Sequence, residues 1–309
     1  MRAKTIFTLL KETGSDWLED KASRLAAALA FYTLLSLAPL LVLVVSIAGL
    51  VFGDDAARGE VTGQLQALIG TDGAKAVESV LANAKTPSSG ILGTIVGVAI
   101  LLFGASGVFG ELQDSLNVIW EVQPRPGRGI KGFIRDRFFS FTLVLGVAFL
   151  LLVSLVLSAG LAAAGSLFEQ RLPGGEVMWQ VINFVISIGT ITVLFGLIFK
   201  VLPDVKIQWR DVWIGALFTA VLFTLGKFAI GLYLGRSTIA SPYGAAGSVV
   251  VLVVWVYYSA QILFFGAEFT QVYARHHGSR LRPTKNAVPI TDEAKAQMGL
   301  GPHAKPTPS

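Results

Sequence analysis

The chain has 309 residues, 53% of them hydrophobic and only 15% charged, with a net charge of +5 and a mean hydropathy of +0.65. A soluble domain carries about 25% charged residues, so this balance excludes an ordinary soluble enzyme and fits an all-α polytopic membrane protein. There is no cysteine, which excludes disulfides and thiolate metal sites.

Residues 1–24 are basic and weakly amphipathic, with Ile6, Phe7, Leu10, Trp17 and Leu18 as apolar contacts. They are expected to lie at the membrane interface, with Trp17 as an anchor and Ser15 or Asp16 capping a helix that enters the membrane. No cleavable signal pattern is expected: the first apolar run starts near Leu25, is too long for a signal core and has no small-residue cleavage site after it.

Crossing a bilayer takes about 20 helical residues, and six runs meet that length. The first is 25–52, with Tyr32 and Ser36 one turn apart and Pro39 at mid-span. Proline frees the carbonyl four residues earlier, so the kink is expected to face protein. Residues 53–89 are polar and read as a small extracytoplasmic helical hairpin over 56–84, broken at Gly70–Gly73. The second span, 90–109, is glycine-rich, as in closely packed helices. It runs into the amphipathic ELQDSLNVIWEV, with Glu111 at its start, and then a basic, turn-rich loop. The third span, 138–167, is featureless and reads as a lipid-facing wall. The fourth, 177–202, holds Asn183, Ser187, Thr190 and Thr192. The fifth, 212–235, contains Lys227, and the sixth is 247–269. The tail 278–309 has several prolines and no apolar periodicity, and is expected to be disordered.

Lysine and arginine alternate between loops. The four segments that six spans place on one side hold 19 of them, the other three hold 5, and Lys227 completes the 25. That asymmetry predicts cytoplasmic termini. It also accounts for the pI of 9.5 without nucleic acid as a partner.

In the sixth span Tyr257, Tyr258, Gln261 and Glu268 recur at helical spacing along one face. Polar groups at membrane depth cost several kcal/mol unless they meet protein or water. The stripe therefore reads either as glue between helices or as a substrate or ion path. Lys227 lies well inside its span, roughly 12 Å from the outer end at 1.5 Å per residue. It reads either as snorkelling in a tilted helix or as a partner for an anionic group. Depth places it level with Tyr257, Tyr258, Gln261, Ser36 and Pro39, and too far from Glu268 for a direct pair. Glu111, also at a cytoplasmic end, is the better-placed neighbour of Glu268 or Arg24, and Glu111 and Glu268 read either as interfacially solvated or structurally ion-paired residues or as part of the path. The candidate path is thus Lys227, Tyr257, Tyr258, Gln261, Glu268, Glu111, Tyr32, Ser36 and Pro39. No metal or cofactor site and no enzyme chemistry is expected: His276, His277 and His303 all follow the last span, and no nucleophile or phosphate-loop motif is present.

The stretches RLAAALAFYTLLSLAPLL, GVFGELQDSLNVIWEV, LPDVKIQWRDVWIGALFTAVLFTLGK and SPYGAAGSVVVLVVWVYYSAQILFFGAEFTQVYA occur in this order between about residues 15 and 277. Together they resemble the YihY/BrkB family of bacterial inner-membrane proteins. The resemblance implies six helices with cytoplasmic termini and, from proposals made for relatives, export of a lipid or small anionic molecule. The family once carried the label of a tRNA-processing ribonuclease, which we regard as mistaken, and no catalytic residue carries over. Membrane lipids are the expected partners, and a non-transporting membrane scaffold is the alternative role.

Overall fold

The structure, a computed structural model, describes residues 3–53, 59, 63, 104, 107–126, 175–236, 247–277 and 281–300. The second span apart from its last turn, the third span, and the outer hairpin apart from two isolated residues lie outside this set. The described part is helical, with two short strand pairs. Helix α1 is Ala3–Glu19 and α2 is Ala22–Phe52. Residues 107–119 form α3 and lead into strand β1, Val122–Pro124. Helix α4, Gly175–Val201, is followed by β2, Val205–Lys206, and α5, Trp209–Arg236. Helix α6 is Gly247–His276. Strands β3, Arg282–Pro283, and β4, Ala287–Pro289, precede α7, Asp292–Met298.

Three helices among the described residues are long and apolar enough to cross a membrane, over Phe184–Val201, Trp209–Ile230 and Val249–His276. Helix α2, with 31 residues, is about 46 Å long at 1.5 Å per residue.

Helix α1 is two-faced. Leu9, Thr13, Asp16 and Asp20 are buried at spacings of three and four and meet α6, while Ile6, Phe7, Leu10 and Leu18 stay exposed. Two expectations fail here. Ser15 and Asp16 are not caps, because α1 runs unbroken through them; Ser15 Oγ donates to Glu19 Oε1 at 3.1 Å and Asp16 pairs with Arg275. Trp17 is not an interface anchor, because its ring packs against the main core with Nε1 buried. Lys21, in the left-handed region at φ 52°, turns the chain sharply into α2.

The main core joins Ala22, Ala26 and Leu29 of α2, Leu116 and Ile119 of α3, Phe195 and Phe199 of α4, Ala216 and Ala220 of α5, and Phe264 and Ala267 of α6. Helices α5 and α6 approach closely. A Cβ on Gly215 of α5 would lie 2.6 Å from Thr270 Cβ, and one on Gly266 of α6 would lie 2.7 Å from Thr219 Cγ2. The contact is reciprocal: each helix presents a glycine followed four residues later by a threonine. Each threonine keeps its hydroxyl satisfied on its own helix. Thr219 donates to Gly215 O at 2.7 Å and Thr270 to Gly266 O at 2.6 Å.

The tail departs from expectation. Residues 281–300 are ordered on the rest of the protein, not disordered. Strand β4 pairs antiparallel with β1, with Gln123 opposite Val288, and β3 pairs antiparallel with β2. Thr291 caps α7 by accepting from Ala294 N at 3.2 Å, and Lys295 Nζ donates to Glu121 Oε1 at 2.6 Å. Strands of two or three residues carry no readable periodicity, and their prolines sit at strand ends, where a missing N–H is tolerated. Backbone pairing to distant segments, with Ala287, Ile290 and Leu300 buried, supplies the order that local pattern does not show.

Candidate functional site

The polar residues of the spans fall into two groups. The first surrounds Lys227 on α5. Its neighbour Gly226 is pressed against α6: a Cβ there would lie 3.2 Å from Tyr258 Cε1, with Ile262 Cδ1 nearer still. Position 227 is therefore level with the turn of α6 from Tyr258 to Ile262. Lys227 is half-buried and has no ion-pair partner among the described residues. Gln261, on that turn of α6, has a buried Oε1 with no hydrogen-bond partner among the described residues. Tyr257 packs against the main core. Tyr32 and Ser36 meet the glycine-rich end of the second span. Ser36 is buried and donates to Gly104 O at 2.7 Å, and a Cβ on Gly107 would lie 3.8 Å from Tyr32 Cδ1. Ser36 thus acts as an interhelical tie. Pro39 lies inside the continuous helix α2.

The second group sits where α1 covers the end of α6. Glu268 is fully buried and the charges acting on it come from Asp20, Asp16 and Arg275. Arg275 pairs with Asp16, and His276 Nε2 lies 2.6 Å from Glu12 Oε2 at the exposed rim. The sequence singled out Glu268 but not its partners. Glu111, expected beside Glu268 or Arg24, is with neither. Arg24 turns instead to Met298 O at 3.4 Å. Glu111 stands half-buried on α3, where burial, aided by the charge of Asp114, raises its carboxyl above the ordinary 4.5. The stripe on α6 therefore divides: Tyr258 faces α5, Tyr257 the main core, and Glu268 the charged groups of α1.

A third polar contact escaped the sequence reading. Asp204, after α4, accepts from Gln113 Nε2 at 3.3 Å and from Asn117 Nδ2 at 3.2 Å. Its own N–H donates to Asn117 Oδ1 at 2.7 Å, and its carbonyl accepts from Thr284 N at 2.9 Å. The signal was an aspartate in LPD and an asparagine in SLNVIW, polar residues among apolar ones with nothing local to satisfy them. Among the described residues no group of histidine, aspartate or glutamate has the arrangement of a metal site.

The profile of the virulence factor BrkB family matches residues 13–291. The chain belongs to the virulence factor BrkB family. It is 29% identical over 257 residues to a UPF0761 membrane protein of Verminephrobacter eiseniae, covering 81% of this chain and 58% of that protein. It is 25% identical over 290 residues to a UPF0761 membrane protein of a Psychrobacter species, covering 88% and 51%. A ribonuclease-like protein of Bacillus subtilis, YfkH, is 23% identical over 283 residues, covering 90% and 98%. The chain thus spans little more than half the length of those two UPF0761 relatives. No solved structure matches. The BrkB family assignment makes this a membrane protein, as the apolar helices require.

Proposed function

We propose that this BrkB-family protein is a transporter or exporter of a lipid or small anionic molecule in the bacterial inner membrane. It crosses six times, with both termini cytoplasmic. The supporting observation is Lys227: a cation within an apolar span, without a counter-charge among the described residues, level with a buried, unpartnered amide oxygen on Gln261. An ammonium placed there is costly unless something anionic or wet meets it, and an anionic substrate group supplies that partner. Two further facts fit six crossings. The start of α2 packs in one core with residues 260–267 of α6, an arrangement that fits an even number of passes. The lysine and arginine asymmetry of the loops supports a cytoplasmic location for the end where α2 starts. The ribonuclease-like description belongs to YfkH, and nothing in the described residues supports it for this chain.

The test replaces Lys227 by Met, confirms insertion, and follows export or lipid translocation in proteoliposomes and in a deletion strain. The expected result is loss of transport of anionic substrates at unchanged protein level. Undiminished transport by the variant would remove Lys227 from the path.

A further inference from the structure

The connection between α4 and α5 gathers cations and aromatic rings where two spans end. It joins helices that are long and apolar enough to cross, over Phe184–Val201 and Trp209–Ile230. The facing positions of the two helices interlock. Gly196 of α4 packs on Trp213 of α5: a Cβ there would lie 3.6 Å from Trp213 Cζ3. One turn on, Lys200 Nζ stands 5.2 Å from the centre of the Trp209 ring and donates to Ile207 O. That ammonium steadies both the connection and the ring. Trp209 and Trp213 stack with centroids 6.0 Å apart, yet stay 48% and 43% exposed. Leu217, Val221, Leu225 and Phe228 continue the exposed row along α5 at helical spacing. The row is a lipid-facing stripe with two indoles at its head, the place tryptophan takes at a membrane interface.

Beside the rings, the β2–β3 pair carries two cations. Lys206 of β2 stands directly opposite Arg282 of β3. Both are exposed, while Val205 and Ile207 on either side of Lys206 are buried. Opposite residues of an antiparallel pair project to one face, so an ammonium and a guanidinium share the outer face of the ladder. Like charges facing across strands destabilise the pairing, and an anion between them reverses the sign of that contact. Arg210, in the first turn of α5, is a third exposed cation. The acids of the connection are used inward: Asp204 accepts from Gln113 and Asn117 of α3, and Asp211 is buried. Three residues of chain separate Lys206 from Trp209 at most, about 11 Å when fully extended, so one lipid can touch cations and rings together.

A ligand for this place needs negative charge at its head and apolar length beside it. A free phosphate brings only the first, and an acidic protein segment has no acyl chain for the row along α5. We propose that Lys206 and Arg282, with the Trp209–Trp213 pair beside them, bind an anionic phospholipid of the surrounding membrane. Its phosphate sits between the two cations, the guanidinium taking two oxygens and the ammonium acting as a point charge. Its acyl chains follow the exposed row of α5. This lipid is bound at the surface and is not the cargo of the proposed path. Lys227 lies 18 residues further along α5 than Trp209, about 27 Å at 1.5 Å per residue.

The test places the full chain in lipid nanodiscs and compares tryptophan quenching by brominated phosphatidylglycerol with quenching by brominated phosphatidylcholine at the same mole fraction. The anionic lipid should quench more strongly, and the excess should shrink as sodium chloride is raised. Lys206→Gln and Arg282→Gln should each cut the preference by up to about fivefold, the effect of one cation near a charged bilayer, and the double variant should leave the two lipids equal. Trp209→Phe with Trp213→Phe should remove the excess quenching. Lys11→Gln, which deletes an exposed cation of α1, should keep it. Equal quenching of the wild type by both lipids, a preference unchanged in the double charge variant, an excess that survives loss of both indoles, or one that inorganic phosphate abolishes at constant ionic strength would each overturn the proposal. Should the double charge variant not insert, Arg282→Gln alone decides. Transport is not read in this measurement, so failure here is distinguishable from failure of the proposed function.

Discussion

Gly215→Ala is the sharpest test of how α5 and α6 are held. The added methyl would lie 2.6 Å from Thr270 Cβ and 2.8 Å from Thr270 Cγ2, with Oγ1 nearer still. Comfortable carbon contacts are about 3.5–4.0 Å, so the helices must part by roughly 1 Å or more along a seam that packs on both sides of that point. Thr270 cannot rotate clear, because its Cβ is itself within the clash. Overpacking of this kind costs typically about 1–3 kcal/mol and sometimes more; because the clash includes Thr270 Cβ, which no rotamer moves, the upper end is expected. The same exchange at Gly189 of α4 meets nothing within 4 Å, and there alanine's better helix propensity gains up to about 1 kcal/mol. Thermal unfolding of purified protein in detergent, followed by tryptophan fluorescence, separates the two. Gly215→Ala should melt several degrees lower, Gly189→Ala no lower than wild type, and Gly215→Ala with Thr270→Gly should recover part of the loss. If Gly215→Ala melts with the wild type, the close approach of the two helices is wrong.

Further outcomes follow from other contacts. Asn117→Ala removes the acceptor of the Asp204 N–H and one donor to its carboxylate. Leaving buried polar groups unsatisfied costs about 1–3 kcal/mol, and the same unfolding assay should show it, with Asn117→Asp failing to restore the donor. Glu111 holds its proton more tightly when folded, because burial and then Asp114 raise its carboxyl above 4.5. Its stabilising contribution is therefore greatest in acid and declines as pH rises past 4.5. Glu111→Gln should consequently melt above the wild type at pH 7, with the gap closing in acid; a gap that widens in acid would contradict the assignment. Lys295→Ala deletes the ion pair to Glu121 and should make the tail the first site of limited proteolysis, with the cleavage rate rising several-fold at low salt.

The long apolar helices among the described residues were the legible part of the sequence. Helices α2, α4, α5 and α6 fall within a few residues of runs 25–52, 177–202, 212–235 and 247–269, except that α6 continues to His276. Apolar length is a local property and needs no partner to be read. What could not be read depends on residues far apart in the chain. Glu268 stood out as a carboxylate in an apolar run, but its partners Asp16 and Asp20 lie some 250 positions earlier in a segment that looked interfacial, where an aspartate suggests a cap. The reciprocal Gly215–Thr270 and Gly266–Thr219 contact is invisible for the same reason: glycine and threonine four apart are common, and only the crossing of α5 and α6 pairs them. The tail misled because two- and three-residue strands leave no periodic trace.

The stitching of β3 and β4 onto β2 and β1 has a consequence for biogenesis. Among the described residues, strands β1 and β2 pair with residues 282–289, which are translated after the last described apolar helix, α6. The face they share stays unfinished while the apolar helices are being inserted, and it closes only after translation has passed residue 289. A stalled or shortened chain would leave its helices in the lipid with that face still open, and so present quality-control proteases with two unpaired edges.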